Sequence, residues 1–234
     1  MNSLEEIFSL RKVGAVIFDV DGTLYDHKKI KRKMMVQIAK SLFLVPSTMS
    51  EIKVVNSFRK NREKMVAKGI HDIERKQYEI VAKTAKISEA RVREIIQKWM
   101  YEIPSKHLFQ YRYSGIQEFI DLLGKQNILT AVFSDFLTEE KLRALKLAVD
   151  VRVCSTDPDV DRFKPDPAGL LAVGEKLGVP VENCVYIGDQ EEKDGQCASQ
   201  AGMRYLQKST ENTSLEKFQF FSFHQLVDCV KTWQ

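Results

Sequence analysis

The sequence predicts an α/β fold: a doubly wound, parallel, Rossmann-like sheet core with an all-helical domain inserted after its first strand. Three observations support this. From residue 113 onward, short apolar runs with β-branched residues alternate with helical patterns, as parallel strands joined by right-handed crossovers require. One further apolar run, Val13 to Phe18, stands apart, separated from the others by roughly 80 residues that show only helical periodicity. Charge divides along the same line: residues 27–110 hold 20 Lys+Arg against 8 Asp+Glu, and the remainder holds 16 against 24. The overall charge of +4 therefore conceals a basic segment set into an acidic protein. The expected division is residues 1–26 with 107–234 as the α/β core and residues 27–106 as the helical domain.

At 234 residues the chain can bury a sizeable core, and its apolar and charged fractions are those of an ordinary soluble protein. Met1 to Lys12 is mixed and acidic, without the apolar stretch of a signal peptide. No apolar run approaches the roughly 20 residues that span a bilayer. Cys154, Cys184, Cys197 and Cys229 form no C-x-x-C pair and lie in or beside apolar segments. They read as reduced thiols, not as disulfides or a zinc site, so a cytoplasmic location is expected.

Each element has its own signal. Residues 1–12 read as a lead-in with the character of a short helix. Val13 to Phe18 is almost wholly apolar, as expected of a strand buried on both faces. In the insertion, Ile30, Met34, Ile38 and Leu42 fall four apart, and Pro46 marks the break after them. A second helix runs from Ser50 to Lys68 and ends at Gly69; a third covers His71 to Lys83. Ser88 stands at the N-cap of a fourth, which carries Val92, Ile95, Ile96 and Trp99 and is closed by Pro104. The core resumes with a helix over 114–124, a strand over 128–133, a helix over 138–147 and a short strand over 151–154. A polar loop leads to Lys164-Pro165-Asp166-Pro167, then a helix to Leu177 with Gly178 as its C-cap. The strand Cys184 to Ile187, a helix through Gly202, a strand near 203–206 and a last strand–helix pair to Trp233 complete the alternation.

The chemistry concentrates where strands end. The first strand runs directly into Asp19-Val20-Asp21-Gly22-Thr23, two carboxylates at an edge where open parallel sheets bind their ligands. Two such acids repel each other and lose hydration, so packing does not explain them; a cation, or a proton held on one acid, would relieve the strain. Ser134-Asp135 ends the second strand, Lys164 follows the third, and Gly188-Asp189 with Asp194 follows the fourth.

Asp19-Val20-Asp21-Gly22-Thr23-Leu24 resembles the first motif of the haloacid dehalogenase-like hydrolases, most of which are magnesium-dependent phosphatases. Ser134, Lys164 and the Asp189/Asp194 pair match the three later motifs in the family's order, and the resemblance covers essentially the whole chain outside the insertion. It implies that Asp19 is a nucleophile forming an aspartyl-phosphate. Asp21 would protonate the leaving oxygen and then activate water, which calls for a raised pKa. Thr23 would brace the geometry, Ser134 would hydrogen-bond a phosphoryl oxygen, and Lys164 would hold the phosphate. Mg2+ would be bound by Asp19, the backbone carbonyl of Asp21, Asp189 and, directly or through water, Asp194. Asp135 departs from the family pattern by adding a negative charge beside the phosphate. The acidic loop Asp157-Pro158-Asp159-Val160-Asp161 reads as solvated, with a second cation site as the alternative.

The insertion resembles the helical cap of one subgroup of that family. Its positive charge suits an anionic substrate, with Arg59, Lys60, Arg62 and Lys64 as candidates to reach it; Arg59 and Arg62 join Ser134, Asp135 and Lys164 as the predicted substrate contacts. The expected function is a magnesium-dependent phosphatase acting on a small phosphorylated metabolite, with no nucleic-acid or membrane partner. A phosphosugar mutase resembling beta-phosphoglucomutase, or a non-catalytic binding or regulatory protein, are the alternatives. A 2-haloacid dehalogenase is disfavoured because those enzymes lack the second acid, here Asp21.

Overall fold

The computed structural model describes residues 13–210 and 218–231. The predicted lead-in over residues 1–12 and the predicted chain end at Trp233 lie outside the described residues. Among the described residues, six strands form one parallel sheet: β1 (Ala15–Phe18), β2 (Leu129–Ser134), β3 (Val151–Cys154), β4 (Cys184–Gly188), β5 (Arg204–Lys208) and β6 (Gln219–Phe220). Their spatial order is β3-β2-β1-β4-β5-β6, so strand order reverses between β1 and β4 and opens a crevice there. The register places Phe18 opposite Val132 on one side and Ile187 on the other. The predicted α/β fold is thus observed, and the strand ends that carry Asp19, Ser134 and Asp189 lie at one edge.

Alternation along β1 explains why its residues are apolar on both faces. Val16 and Phe18 join a core with Phe119 and Ile120 of α6 (Ile116–Lys125) and with Phe223 and Leu226 of α10 (Phe223–Lys231). Ala15 and Ile17 join the opposite core, with Leu170 and Val173 of α8 (Ala168–Leu177) and Cys197 and Ala198 of α9 (Gln196–Ala201). A strand covered by helices on both sides has no polar face to spare, which is why its first carboxylate appears only where it leaves the sheet. All four cysteines are buried and reduced.

Residues 27–111 contain no strand. They form α1 (His27–Leu44), α2 (Thr48–Lys68), α3 (Ile73–Ala85), α4 (Glu89–Ile96), a π-helical turn (Gln97–Glu102) and α5 (Ile103–Leu108). Local chemistry sets the ends. The Asp26 carboxylate accepts from the Lys29 N–H at 3.0 Å at the start of α1, and Ser88 Oγ accepts from the Arg91 N–H at 3.2 Å at the start of α4. Gly69 closes α2 in the left-handed region, with φ of 57°. A separate core of Val55, Phe58, Tyr78, Val81, Val92, Ile96 and Trp99 holds α2, α3 and α4 together. No described helix is long and apolar enough to cross a membrane.

Two expectations are corrected. Pro104 does not close the fourth helix: the helical course runs on through α5, where Pro104 occupies its first turn. The π-helical turn makes this possible, because its wider hydrogen-bond spacing (the Ile103 N–H donates to the Lys98 carbonyl) resets the register just before a residue with no N–H. The acidic loop is solvated only in part, with Asp159 about half exposed, and its carboxylates are not arranged as a cation site. Asp157 accepts from the Cys154 N–H at 2.9 Å, and Asp159 pairs with Lys176 at 2.8 Å. Asp161 accepts from the backbone N–H groups of Asp72 and Ile73, both at 2.7 Å, and so caps α3 from 88 residues away. Phe163 beside it packs on Met65 and Ile73, which fastens the helical segment to a loop of the sheet.

Asp161→Ala removes the acceptor for both N–H groups. It should lower stability by about 1–2 kcal/mol in urea unfolding; an unchanged midpoint would show that the cap contributes nothing.

Candidate active site

Asp19 leaves β1 with its N–H donated to the Ile187 carbonyl at 2.8 Å, which ties it to the neighbouring strand β4. The residue is 4 % exposed. Thr23 Oγ1 donates to Asp19 Oδ2 at 3.2 Å, and Lys164 Nζ donates to Asp19 Oδ1 at 2.7 Å. The same ammonium reaches Asp194 Oδ1 at 2.6 Å and Tyr186 Oη at 3.1 Å, while Tyr186 donates to Asp194 at 3.0 Å. Asp194 is held by a π-helical turn over Glu191–Gly195, and its other oxygen accepts from the Gln190 N–H at 3.1 Å. Asp189 comes between these groups at the end of β4. The turn after Asp21 can approach it only because residue 22 is glycine: its φ is 101°, and a Cβ would collide with the Asp189 carboxylate.

Three carboxylates therefore cluster here, and one ammonium contacts two of them. Burial pushes the Asp19 carboxyl up; Lys164 opposes this, and Asp194, Asp189 and Asp21 add to it, leaving the group at about 8. Burial and the Asp194 charge likewise raise Asp189 to about 6, with Lys164 opposing. Lys164 is held well above its ordinary value, because the attraction of Asp19, Tyr186 and Asp194 outweighs the cost of burial. Ligand oxygens of Asp19, Asp189 and Asp194 lie within 4.8 Å of one another, and the buried Asp189 Oδ1 has no hydrogen-bond partner. An all-oxygen donor set with uncompensated negative charge and an orphaned carboxylate oxygen fits a hard divalent cation such as Mg2+.

Asp21 lies outside that cluster. Its carboxylate takes Lys141 Nζ at 2.5 and 2.7 Å and accepts from Tyr25 Oη. The expected rise in its pKa is corrected here. Burial does push it up, but the charge and hydrogen bonds of Lys141, with that of Tyr25, prevail and hold Asp21 below its ordinary value. Lys141, which carries no expectation from the sequence, sits in the first turn of α7 (Glu139–Leu145), the helix after the Ser134 strand. A signal was present: Lys141 falls on the inward stripe with Leu142 and Leu145, where a lone cation needs a partner.

Ser134 is buried at the end of β2, where its Oγ accepts from the Phe136 N–H at 3.2 Å. Asp135 turns its carboxylate away from the site, accepting from Ser155 Oγ at 2.6 Å and from the Lys164 N–H at 3.1 Å. Its charge is spent on bracing the loop that delivers Lys164. Arg62 is buried between the rings of Phe136 and Phe163, each 4.4 Å from its guanidinium, and donates to Gln77 and to the Asp135 carbonyl. The second of these bonds joins the helical segment to the sheet edge. Arg59 is exposed and lines a cavity of about 510 Å³ over Asp21 and Lys141. Lys60 and Lys64 are exposed as well, and neither lines it.

Fold and site together define an α/β enzyme whose chemistry centres on a buried aspartate held by a lysine. Comparison with known proteins gives the family: the model of the haloacid dehalogenase-like hydrolases matches residues 16–208, and the chain belongs to that family. Among curated relatives, the phosphoglycolate phosphatase of Pseudomonas syringae pv. tomato is 23% identical over 206 residues, covering 87% of this chain and 72% of that protein. Among solved structures, a 2-haloacid dehalogenase from the same organism has a TM-score of 0.65 at 19% identity and covers 95% of this chain and 100% of its own. A beta-phosphoglucomutase from Clostridium difficile has a TM-score of 0.61 at 18% identity, covering 94% of this chain and 97% of its own. At such identities these likenesses speak to the fold.

The carboxylates generate a pH prediction. Asp19 and Asp189 keep protons in the folded, metal-free protein that the unfolded chain has already lost above an ordinary carboxylate value of 3.8. The folded state binds more protons in that window, so their contribution to stability falls as pH rises towards about 8. A divalent cation competes with those protons. Thermal melts should show a larger Mg2+-induced rise in Tm near pH 8 than near pH 6 (about the two values to compare); equal shifts would contradict these raised pKa values.

Proposed function

We propose that this hydrolase is a magnesium-dependent phosphatase acting on a small-molecule phosphate monoester through a phosphorylated Asp19. The carrying observation is the buried Lys164 ammonium, 2.7 Å from Asp19 and 2.6 Å from Asp194, beside an Asp189 oxygen with no protein partner. Asp19, Asp189 and Asp194, with the carbonyl of Asp21, would hold Mg2+, which when bound neutralises charge on the carboxylates and the phosphoryl oxygens. Lys164 and Ser134 bind and orient the phosphoryl group. Asp19 Oδ attacks phosphorus as the P–O bond to the leaving alcohol breaks. The departing oxygen takes its proton from the Asp21–Lys141 pair. Ionised Asp21, held ready by Lys141 and Tyr25, then draws a proton from the water that attacks the phosphoryl group, releasing inorganic phosphate and restoring Asp19.

Thr23 keeps the attacking carboxylate aligned through its bond to Oδ2. Residues 27–106 act as a cap that shelters the reaction from water, fastened to the sheet by Arg62 and by the Asp161 cap of α3. The phosphoglycolate phosphatases among the relatives support the reaction type, and buried, reduced cysteines suit a cytoplasmic setting.

Phosphate release from p-nitrophenyl phosphate and a metabolite panel tests this. Turnover should require Mg2+ and be abolished by EDTA. Asp19→Asn should lower kcat by at least about a thousandfold, and Lys141→Met by about a hundredfold. Folded, Mg2+-binding protein that releases no phosphate but moves a phosphoryl group between sugar hydroxyls would instead make it a mutase.

A further inference from the structure

The cavity over Asp21 and Lys141 has walls that a small polar substrate would not need. Met34, Met35 and Ile38 of α1, Val55 of α2, and Trp99 and Met100 of the π-helical turn form much of its lining. Its volume of about 510 Å³ lies within the roughly 300–1,000 Å³ of sites that enclose drug-sized ligands. A glycolate-sized group would leave most of that space as water against apolar side chains, which is unfavourable.

Helix α1 points the same way. It has 18 residues, of which only Ile30 is buried, and Met35 remains 70% exposed. A helix of a globular domain normally covers its apolar stripe with protein. Here that stripe faces a cavity. Within the same cavity, His27 Nδ1 and Ser105 Oγ are buried and have no protein hydrogen-bond partner. Groups left unpaired in this way cost stability unless a ligand satisfies them.

The geometry points to a phosphate monoester whose leaving group is bulky and largely apolar, lying along α1 with its phosphoryl end at Asp19 and with polar atoms that meet His27 and Ser105. This rests on the phosphatase reading of the site and narrows its substrate to an amphipathic class. The chemistry is shared by soluble aryl or alkyl phosphates and by the monoester headgroup of a lipid.

A homologous series of n-alkyl phosphates, methyl to octyl, kept below micelle formation and assayed with Mg2+, tests the assignment. kcat/KM should rise about three- to fourfold per added methylene until the cavity is filled. Met35→Glu, at an exposed position, should reduce the octyl-to-methyl ratio by at least about tenfold through a charge set into the apolar lining. A flat series with robust phosphate release overturns the apolar-substrate proposal and leaves the phosphatase reading standing. Calorimetry of methyl- and octylphosphonate binding to Asp19→Asn separates the opposite case. Tighter octylphosphonate binding with a more negative ΔCp supports the cavity assignment even where no ester is turned over; equal affinities overturn it. Comparing monomeric octyl phosphate with hexadecyl phosphate in phosphatidylcholine vesicles then distinguishes the two sources: preference for the vesicle substrate identifies the lipid, and preference for the monomer the soluble ester.

Discussion

The ammonium of Lys164 lies at 5% exposure, where an unpaired charge would cost several kcal/mol, yet it touches two carboxylates and a phenol. The dependence is mutual. Without Lys164, Asp19 and Asp194 would be buried acids with no cation beside them. Even so, one positive charge does not balance Asp19, Asp189 and Asp194. The site is under-neutralised by construction, and a protein that retains such a cluster holds it ready for a further positive charge. Much around it serves that arrangement. Gly22 lets the first turn approach Asp189, Asp135 braces the loop that presents Lys164, and the π-helical turn at Glu191 aims Asp194 inward.

The helical segment is coupled to the same edge by a few specific contacts. Arg62 reaches down to the Asp135 carbonyl, and Asp161 reaches up to cap α3. Both contacts involve loops that carry site residues, so the position of the helices and the position of Asp135 and Lys164 are set together. Motion of the segment would therefore be felt at the loop carrying the lysine. Lys141 adds a second charge pair at Asp21, distinct from the first, so each of the two aspartates of the opening motif has its own lysine.

The fold was largely legible in the sequence because its signals are local. An apolar run that stops at Asp19, a serine N-cap at position 88 and glycines at 69 and 178 in left-handed caps are each decided within a few residues. The strand ends that gather at the site were legible for the same reason. What escaped depends on partners far apart in the chain. Asp161 looks solvated until α3 is placed above it, and Asp135 looks like added charge at the phosphate until Ser155 and the Lys164 N–H are seen to take it up. The environment of Asp21 was misjudged because the nearest charge in sequence is another acid, Asp19, whereas its controlling neighbour is 120 residues away. Pro104 misled because a proline ends an ordinary helix, and nothing in the sequence announced the π-helical turn before it.

The account depends on Asp19 becoming the covalent carrier of the phosphoryl group. Its most direct test is to quench the protein during turnover with Mg2+ and substrate, reduce with borohydride, and map the product by peptide mass spectrometry. An acyl phosphate on an aspartate is converted by this treatment to homoserine. The account predicts homoserine at position 19 and at no other aspartate. Homoserine at position 21, 189 or 194 instead, or none while phosphate is being released steadily, would contradict it.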